Sequence, residues 1–353
     1  MASVLSKSDT KLLFFLKPFL WLPSFLYAGL TSLRNWLYDS GYIKVSEPDV
    51  FSIGIGNLAV GGTGKTPLTN YLIHAFSGKK IAVLSRGYGR KTKGYRKITV
   101  DETPETVGDE IRMLFDINHE RARFFVCENR VEGVRKIKED FPEVQIILFD
   151  DVFQHRAIKP AVQLLLSTQQ RPFYSDYILP VGRLRETAKG ARRAQALIVT
   201  KCTSFEEYFT VKEESTQLLN ENVPVFGCFY RLEQPINISG KKIETKDKAK
   251  VLSGLANNDS FAENLQKTFT LIEQHFYPDH HAYTETEIRD LLDLDNFPVI
   301  TTEKDFIKLR FLNLHQSDLE RFYVVSQTVS FYEESDFLSF IHTEFKRFGK
   351  EKG

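Results

Sequence analysis

The sequence is poor in cysteine, nearly balanced in charge, and without a low-complexity segment. Its three cysteines, Cys127, Cys202 and Cys228, are odd in number and share no metal-ligand spacing. That argues against a disulfide framework or a cysteine-rich metal module, and predicts reduced, buried thiols in a cytosolic protein. Lysine and arginine number 47 against 46 aspartate and glutamate, a net charge of +1. No global charge therefore points to a nucleic acid partner. No small-residue cleavage site follows the apolar N-terminal stretch, which argues against a secretory signal peptide.

What is present is more telling. At 353 residues, 42% of them apolar and 29 of them phenylalanine, the chain has material for two α/β domains. Residues 11–38 read KLLFFLKPFLWLPSFLYAGLTSLRNWLY. Leu12–Leu30 is almost wholly apolar but carries Lys17, Pro18 and Pro23, which disturb a spanning helix. Trp21, Tyr27, Trp36 and Tyr38 suit a membrane–water interface. The stretch is expected to be a monotopic helix in one leaflet, with Lys11, Lys17 and Arg34 meeting anionic lipid. The alternative is an amphipathic helix packed on the body of the protein.

Residues 54–67 read GIGNLAVGGTGKTP, after a short apolar run at Val50–Ile53 and before a stretch that continues as a helix. Pro67 fits the first helical turn, where its missing N–H is harmless. Strand, glycine-rich turn and helix start together describe a phosphate-binding loop. Gly61, Gly62, Thr63, Gly64, Lys65 and Thr66 would cradle a nucleotide triphosphate. Lys65 would reach the β/γ-phosphates and Thr66 would ligand Mg²⁺. The strict pattern asks for glycine where Ala59 stands.

A second apolar strand, Val144–Phe149, ends in Asp150-Asp151, the acidic companion that holds Mg²⁺ beside such a loop. Lys80–Leu84 leads into SRGYGR, a strand-end loop followed by a basic cluster that includes Arg86, Arg90 and Lys91. A helix is expected to run from Thr106 to about His119, with Asp109 and Glu110 in its first turn, where they could complement the helix dipole or reach a ligand. Asp109 is the best carboxylate left for taking a proton from an acceptor, and His280 and His281 are the conspicuous histidine pair. Ala161–Leu166, Tyr177–Leu179, Ala196–Thr200 and Val225–Tyr230 read as strands. The lysine-rich stretch 236–250 marks a boundary before a second α/β unit. The division is then 1–38 helix, 39–235 phosphate-loop domain, 236–250 linker and 251–353 closing domain, an α/β fold with two three-layer units.

Seven blocks in order, GNLAVGGTGKTP, LSRGYGR, VGDE, FDDVFQH, LPVGRLRE, PDHHAYT and TTEKDFIKL, resemble the tetraacyldisaccharide 4'-kinase (lipid A 4'-kinase) family across nearly the whole chain. The resemblance implies transfer of the ATP γ-phosphate, with Mg²⁺, to the 4'-hydroxyl of a tetraacylated glucosamine disaccharide 1-phosphate. It implies work at the cytoplasmic face of the inner membrane, without nucleic acid and with no obligatory protein partner evident. It further implies two α/β/α domains joined by a β-stranded linker, with the active site between them. By motif, Asp109 falls on the family's base and His280 on its partner. Lys65 and Thr66 fall on the nucleotide and Mg²⁺ residues, and Asp150 and Asp151 on the metal-associated pair. Arg86, Gln154, His155 and Arg185 fall in these blocks near the cleft, and Arg130, outside the seven, also matches the family there. Val152 departs from the family, which commonly has glycine there. Two other readings remain open: a membrane-docked nucleotide switch with slow hydrolysis, and a soluble small-molecule kinase.

Overall fold

The computed structural model describes residues 7–352 apart from 245, 256 and 294, with side chains from residue 19 to 351. Strands run in chain order as β1 Phe51–Asn57, β2 Ile81–Ser85, β3 Arg96–Lys97, β4 Ala122–Val126, β5 Ile146–Asp150, β6 Val162–Thr168 and β7 Ala196–Thr200. They continue as β8 Val225–Leu232, β9 Lys248–Ser253, β10 Thr270–Phe276, β11 Val299–Thr302, β12 Phe322–Val325 and β13 Gln327–Phe331.

Nine strands form one sheet in the order β13-β8-β7-β6-β1-β5-β2-β4-β3, and four form a second in the order β10-β9-β11-β12. The first is parallel except at its two edges, where β3 and β13 run antiparallel to their neighbours. Every residue of β1 and β5 is buried, as expected of central parallel strands covered on both faces. The registers place Ile55 of β1 opposite Asp150 of β5. The glycine-rich turn and the acidic pair therefore leave the sheet side by side, at the strand ends where α/β sheets bind ligands.

The glycines within β1 have a packing reason. A Cβ at Gly56 would lie 2.6 Å from the Phe153 Cβ, and one at Gly54 would lie 2.8 Å from a Val152 methyl. Val152, the departure from the family pattern, is buried at 2% exposure and lies over the gap that Gly54 leaves.

Three expectations change. The expected closing unit 251–353 ends near Val325, because β13 pairs with β8 in the large sheet. The final helix Glu334–Lys352 buries Phe337 and Ile341 in the core beneath β1. Phe345 and Phe348 meet Phe51 edge-on. Aromatic content, not sequence position, decides which unit the tail joins. The helix expected to run from Thr106 is two helices, Pro104–Val107 and Asp109–Asn118, broken at Gly108 with φ +101. Tyr177–Leu179 is no strand: Gly182 and Leu184 donate back to Ile178 and Tyr177, so the segment folds into a turn, bridged singly between Ile178 and Leu184.

The N-terminal helix runs Lys7–Asp39, and the side chains of Lys11 and Lys17 lie outside the described residues. Its sidedness is inverted relative to a surface helix. Ser24 and Thr31 are buried against the protein, whereas Phe19, Leu22, Phe25, Leu26, Leu30 and Leu33 face outward at 54–76% exposure. Ser24 Oγ donates to the Ile178 carbonyl and Trp21 meets Tyr177 edge-on, seating the helix on the 177–184 turn. Among the described residues no helix is long and apolar enough to cross a membrane.

Candidate active site

The phosphate loop is held open by left-handed glycines and pinned by its own side chains. Gly61 and Gly64 take φ values of +109 and +91, which only glycine adopts freely. Asn57 Nδ2 donates to Thr63 Oγ1 at 2.7 Å, and Thr200 Oγ1 donates to the Thr63 carbonyl at 2.8 Å. The helix Lys65–Ala75 starts on the loop's last glycine, so its free amides and dipole point at the space a phosphate would fill.

Lys65 Nζ lies 3.6 Å from Asp151. Arg185 Nη1 donates to both Asp151 oxygens at 3.1 Å and to Gln154 Oε1 at 3.1 Å. Burial opposes ionisation of Asp151, but Lys65 and Arg185 outweigh it and hold its pKa below the ordinary carboxylate value. Asp150 is the opposite case. Burial, with the charges of Glu110 and Asp151, pushes it up to about 7. Among the described residues its buried Oδ1 has no hydrogen-bond partner, while Oδ2 meets Ser85 Oγ at 3.4 Å.

An orphaned buried carboxylate oxygen facing a second carboxylate calls for a cation. Thr66 Oγ1, 3.4 Å from Glu110, stands on the same side. These residues fit Mg²⁺, which takes one or two carboxylates and completes its shell with phosphate oxygens and water. Among the described residues no three His, Cys, Asp or Glu side chains form a closed cage.

Asp109 and Glu110 open their helix in opposite directions. Glu110 faces Thr66 and Asp150. Asp109 faces the second domain, where His280 Nδ1 and Lys308 Nζ each lie 3.2 Å from its Oδ2. Burial raises the Asp109 pKa, but His280 and Lys308 more than reverse it, and the carboxyl lies below its ordinary value. Lys304 Nζ sits 2.6 Å from Asp279 and 3.4 Å from His280 Nε2, giving the imidazole a charged surround. His281 turns away to Glu287 and stacks on Tyr277, so His280 is the histidine at Asp109.

The domain contact continues along the same helix, with Arg310 Nη1 at 3.1 Å from Asp116 and Phe311 against the Arg112 guanidinium. Gly108 and Gly87 make the junction possible: a Cβ on Gly108 would lie 2.7 Å from the Tyr88 carbonyl, and one on Gly87 2.7 Å from the Val107 carbonyl. The LSRGYGR and VGDE blocks are thus one packed unit, and Tyr88 stands 5.9 Å from the His280 ring.

The remaining candidates divide. Arg185 and Gln154 join the site directly. Arg130, 2% exposed, donates to the carbonyls of Cys127, Glu128, Asp150 and Asp151. It braces the acidic strand end rather than presenting a free fork, and burial lowers its pKa to about 10. His155 is driven down to about 4 by burial, with Arg130 and Arg86 adding to the effect, so it is a neutral imidazole whose Nε2 has no partner among the described residues. Arg86 is exposed beside it.

Sequence reasoning left Lys308, Glu186 and Tyr230 unassigned. Lys308 and Glu186 sit inside quoted motif blocks, so a signal existed. Tyr230 had none: its hydroxyl is buried behind the phosphate loop, and a Cβ on Gly64 would fall 1.6 Å from it.

A phosphate loop, an acidic strand end and a carboxylate–histidine pair supplied across a cleft define a nucleotide-dependent phosphotransferase of the P-loop class. The family model for tetraacyldisaccharide-1-P 4'-kinase matches residues 16–346. A tetraacyldisaccharide 4'-kinase of Cytophaga hutchinsonii is 37% identical over 341 residues, covering 94% of this chain and 96% of that one. One from Flavobacterium psychrophilum is 37% identical over 304 residues, covering 84% and 88%. The crystal structure of LpxK from Aquifex aeolicus in complex with ATP superposes with a TM-score of 0.75 at 26% identity, covering 94% of this chain and 99% of that one. The chain belongs to the tetraacyldisaccharide 4'-kinase family.

Proposed function

We propose that this chain phosphorylates the 4'-hydroxyl of a tetraacylated disaccharide 1-phosphate with ATP, Asp109 taking the hydroxyl proton. The carrying observation is the meeting of two sets of groups in one cleft. Lys65, Thr66, Asp150 and Asp151 lie on one side, and the Asp109–His280–Lys308 contact closes the other. Lys65 and the loop amides offset charge on the phosphates. Bound Mg²⁺ would supply further charge neutralisation at Asp150, Asp151 and Thr66. Asp109, kept ionised by His280 and Lys308, accepts the proton, and His280 holds the carboxylate in place. Contact between the domains along the Asp109–Asn118 helix leaves that carboxylate 19% exposed, and further closure over the bound substrates would exclude water from it.

The outward apolar face of the N-terminal helix supports a peripheral seat in a lipid leaflet, from which an acylated acceptor need not leave the bilayer. We place that seat at the cytoplasmic face of the inner membrane, where ATP is available. The test is incubation of purified protein with radiolabelled ATP and the disaccharide 1-phosphate lipid. The expected outcome is a labelled bisphosphorylated lipid. Nucleotide hydrolysis indifferent to the lipid, with no labelled lipid product, would favour the membrane-docked switch instead.

A further inference from the structure

The N-terminal helix is wired to the phosphate site through a buried carboxylate. Glu186 has no solvent exposure at all. Its Oε2 accepts from Asn35 Nδ2 of the N-terminal helix at 2.6 Å. Its Oε1 accepts from Gln154 Nε2 at 3.2 Å and from Arg193 Nη2 at 2.8 Å. Gly190 closes over the same carboxylate, since a Cβ there would lie 2.9 Å from Oε2.

Gln154 carries the connection onward in two directions. Its Nε2 also donates to the Asn57 carbonyl at 2.8 Å, and Asn57 Nδ2 holds Thr63 of the phosphate loop. Its Oε1 accepts from Arg185, which grips Asp151, the partner of Lys65. A buried carboxylate must keep every oxygen partnered or move. Oε2 has Asn35 as its hydrogen-bond donor among the described residues, so the seating of the helix fixes how Glu186 lies. The position of Glu186 in turn fixes Gln154 and Arg185.

We propose that Asn35 is a positioning residue for nucleotide binding and phosphoryl transfer. Through Glu186 and Gln154 it makes the geometry of the phosphate site depend on a helix whose other face is apolar and exposed. The inference rests on the kinase reading and adds to it a residue outside every motif block.

The experiment is a donor–acceptor exchange in the full chain. Asn35→Asp sets a carboxylate, at a half-buried position beside Arg34, against the fully buried Glu186. The expected result is roughly a tenfold or larger loss of turnover and about a fivefold weaker affinity for a non-hydrolysable ATP analogue by calorimetry. Sedimentation with anionic phospholipid vesicles stays unchanged. Adding Glu186→Gln to Asn35→Asp restores one donor and one acceptor in the same contact, and both quantities recover to within about threefold of the unaltered chain. If Asn35→Asp does not fold, Asn35→Ala is read in the same assays with a smaller expected loss. Analogue affinity and turnover within about twofold of the unaltered chain in the folded single variant would overturn the proposal. So would failure of the exchange to recover either quantity. Failure of the kinase reading is distinguishable, because the unaltered chain would then give no labelled lipid.

Discussion

Replacing Asp109 by asparagine separates the chemistry from the architecture around it. The substitution keeps shape and removes charge and basicity. Asp109 Oδ2 is shared by His280 and Lys308 at 3.2 Å each. Lys308 also donates to the His281 carbonyl at 3.0 Å, so it keeps a partner when the carboxylate is gone. The second domain also retains the Asp116–Arg310 pair and the stacking of Arg112 on Phe311. The variant should therefore stay folded with its domains in contact. Loss of a general base costs about 10²–10⁴ in rate, which is roughly 3–5 kcal/mol of barrier at about 1.4 kcal/mol per decade. Asp109 makes no hydrogen bond to Lys65, Thr66 or Asp151, and the link to that side runs through its neighbour Glu110. Affinity for ATP should thus change by less than about threefold. Phosphate transfer at saturating ATP, with nucleotide affinity measured separately by fluorescence titration, reads both quantities. Turnover retained within about tenfold, or turnover and affinity falling together, would refute the assignment of Asp109 as base.

Gly64→Ala should abolish nucleotide binding measured by calorimetry. The residue must hold φ +91, a conformation costing roughly 1–2 kcal/mol for alanine, and its Cβ would meet the Tyr230 hydroxyl at 1.6 Å. Ordinary affinity in the variant would show that the loop is not the nucleotide site. Lys308→Met removes a cation that lowers the Asp109 pKa. The carboxyl then titrates nearer its ordinary value, and the acid limb of the kcat/KM profile moves to higher pH; a limb unmoved or shifted to lower pH contradicts the electrostatics. Leu26→Glu with Leu30→Glu places charge on the outward helix face, where those side chains are 63% and 67% exposed. The doubly altered chain should fold normally yet leave the pellet when vesicles are sedimented, and undiminished sedimentation would remove the case for that face as a lipid contact.

Read alone, the chain marks out the phosphate loop, the acidic strand end and Asp109 as candidates. In each, spacing along the chain already encodes the chemistry: glycines before a Lys-Thr helix start, two carboxylates ending an apolar strand, a carboxylate at a helix start. Local signals of that kind survive folding because turns and helix termini are set by nearest neighbours. Tertiary structure alone decided which histidine meets Asp109, because His280 and His281 are adjacent and diverge only when the left-handed turn at His280, with φ +63, aims them apart. It likewise decided that Arg130 is a brace, since its four carbonyl acceptors come from two separate strand ends. The return of β13 and the last helix to the large sheet was hidden, because an amphipathic helix fits either domain until its aromatics find a complementary surface. The same holds for Asn35 and Glu186, 151 residues apart in sequence. Asn35 lies in no motif block, and only packing the N-terminal helix against the 177–186 segment brings its donor to Oε2 of a carboxylate whose other oxygen is held by Gln154 and Arg193.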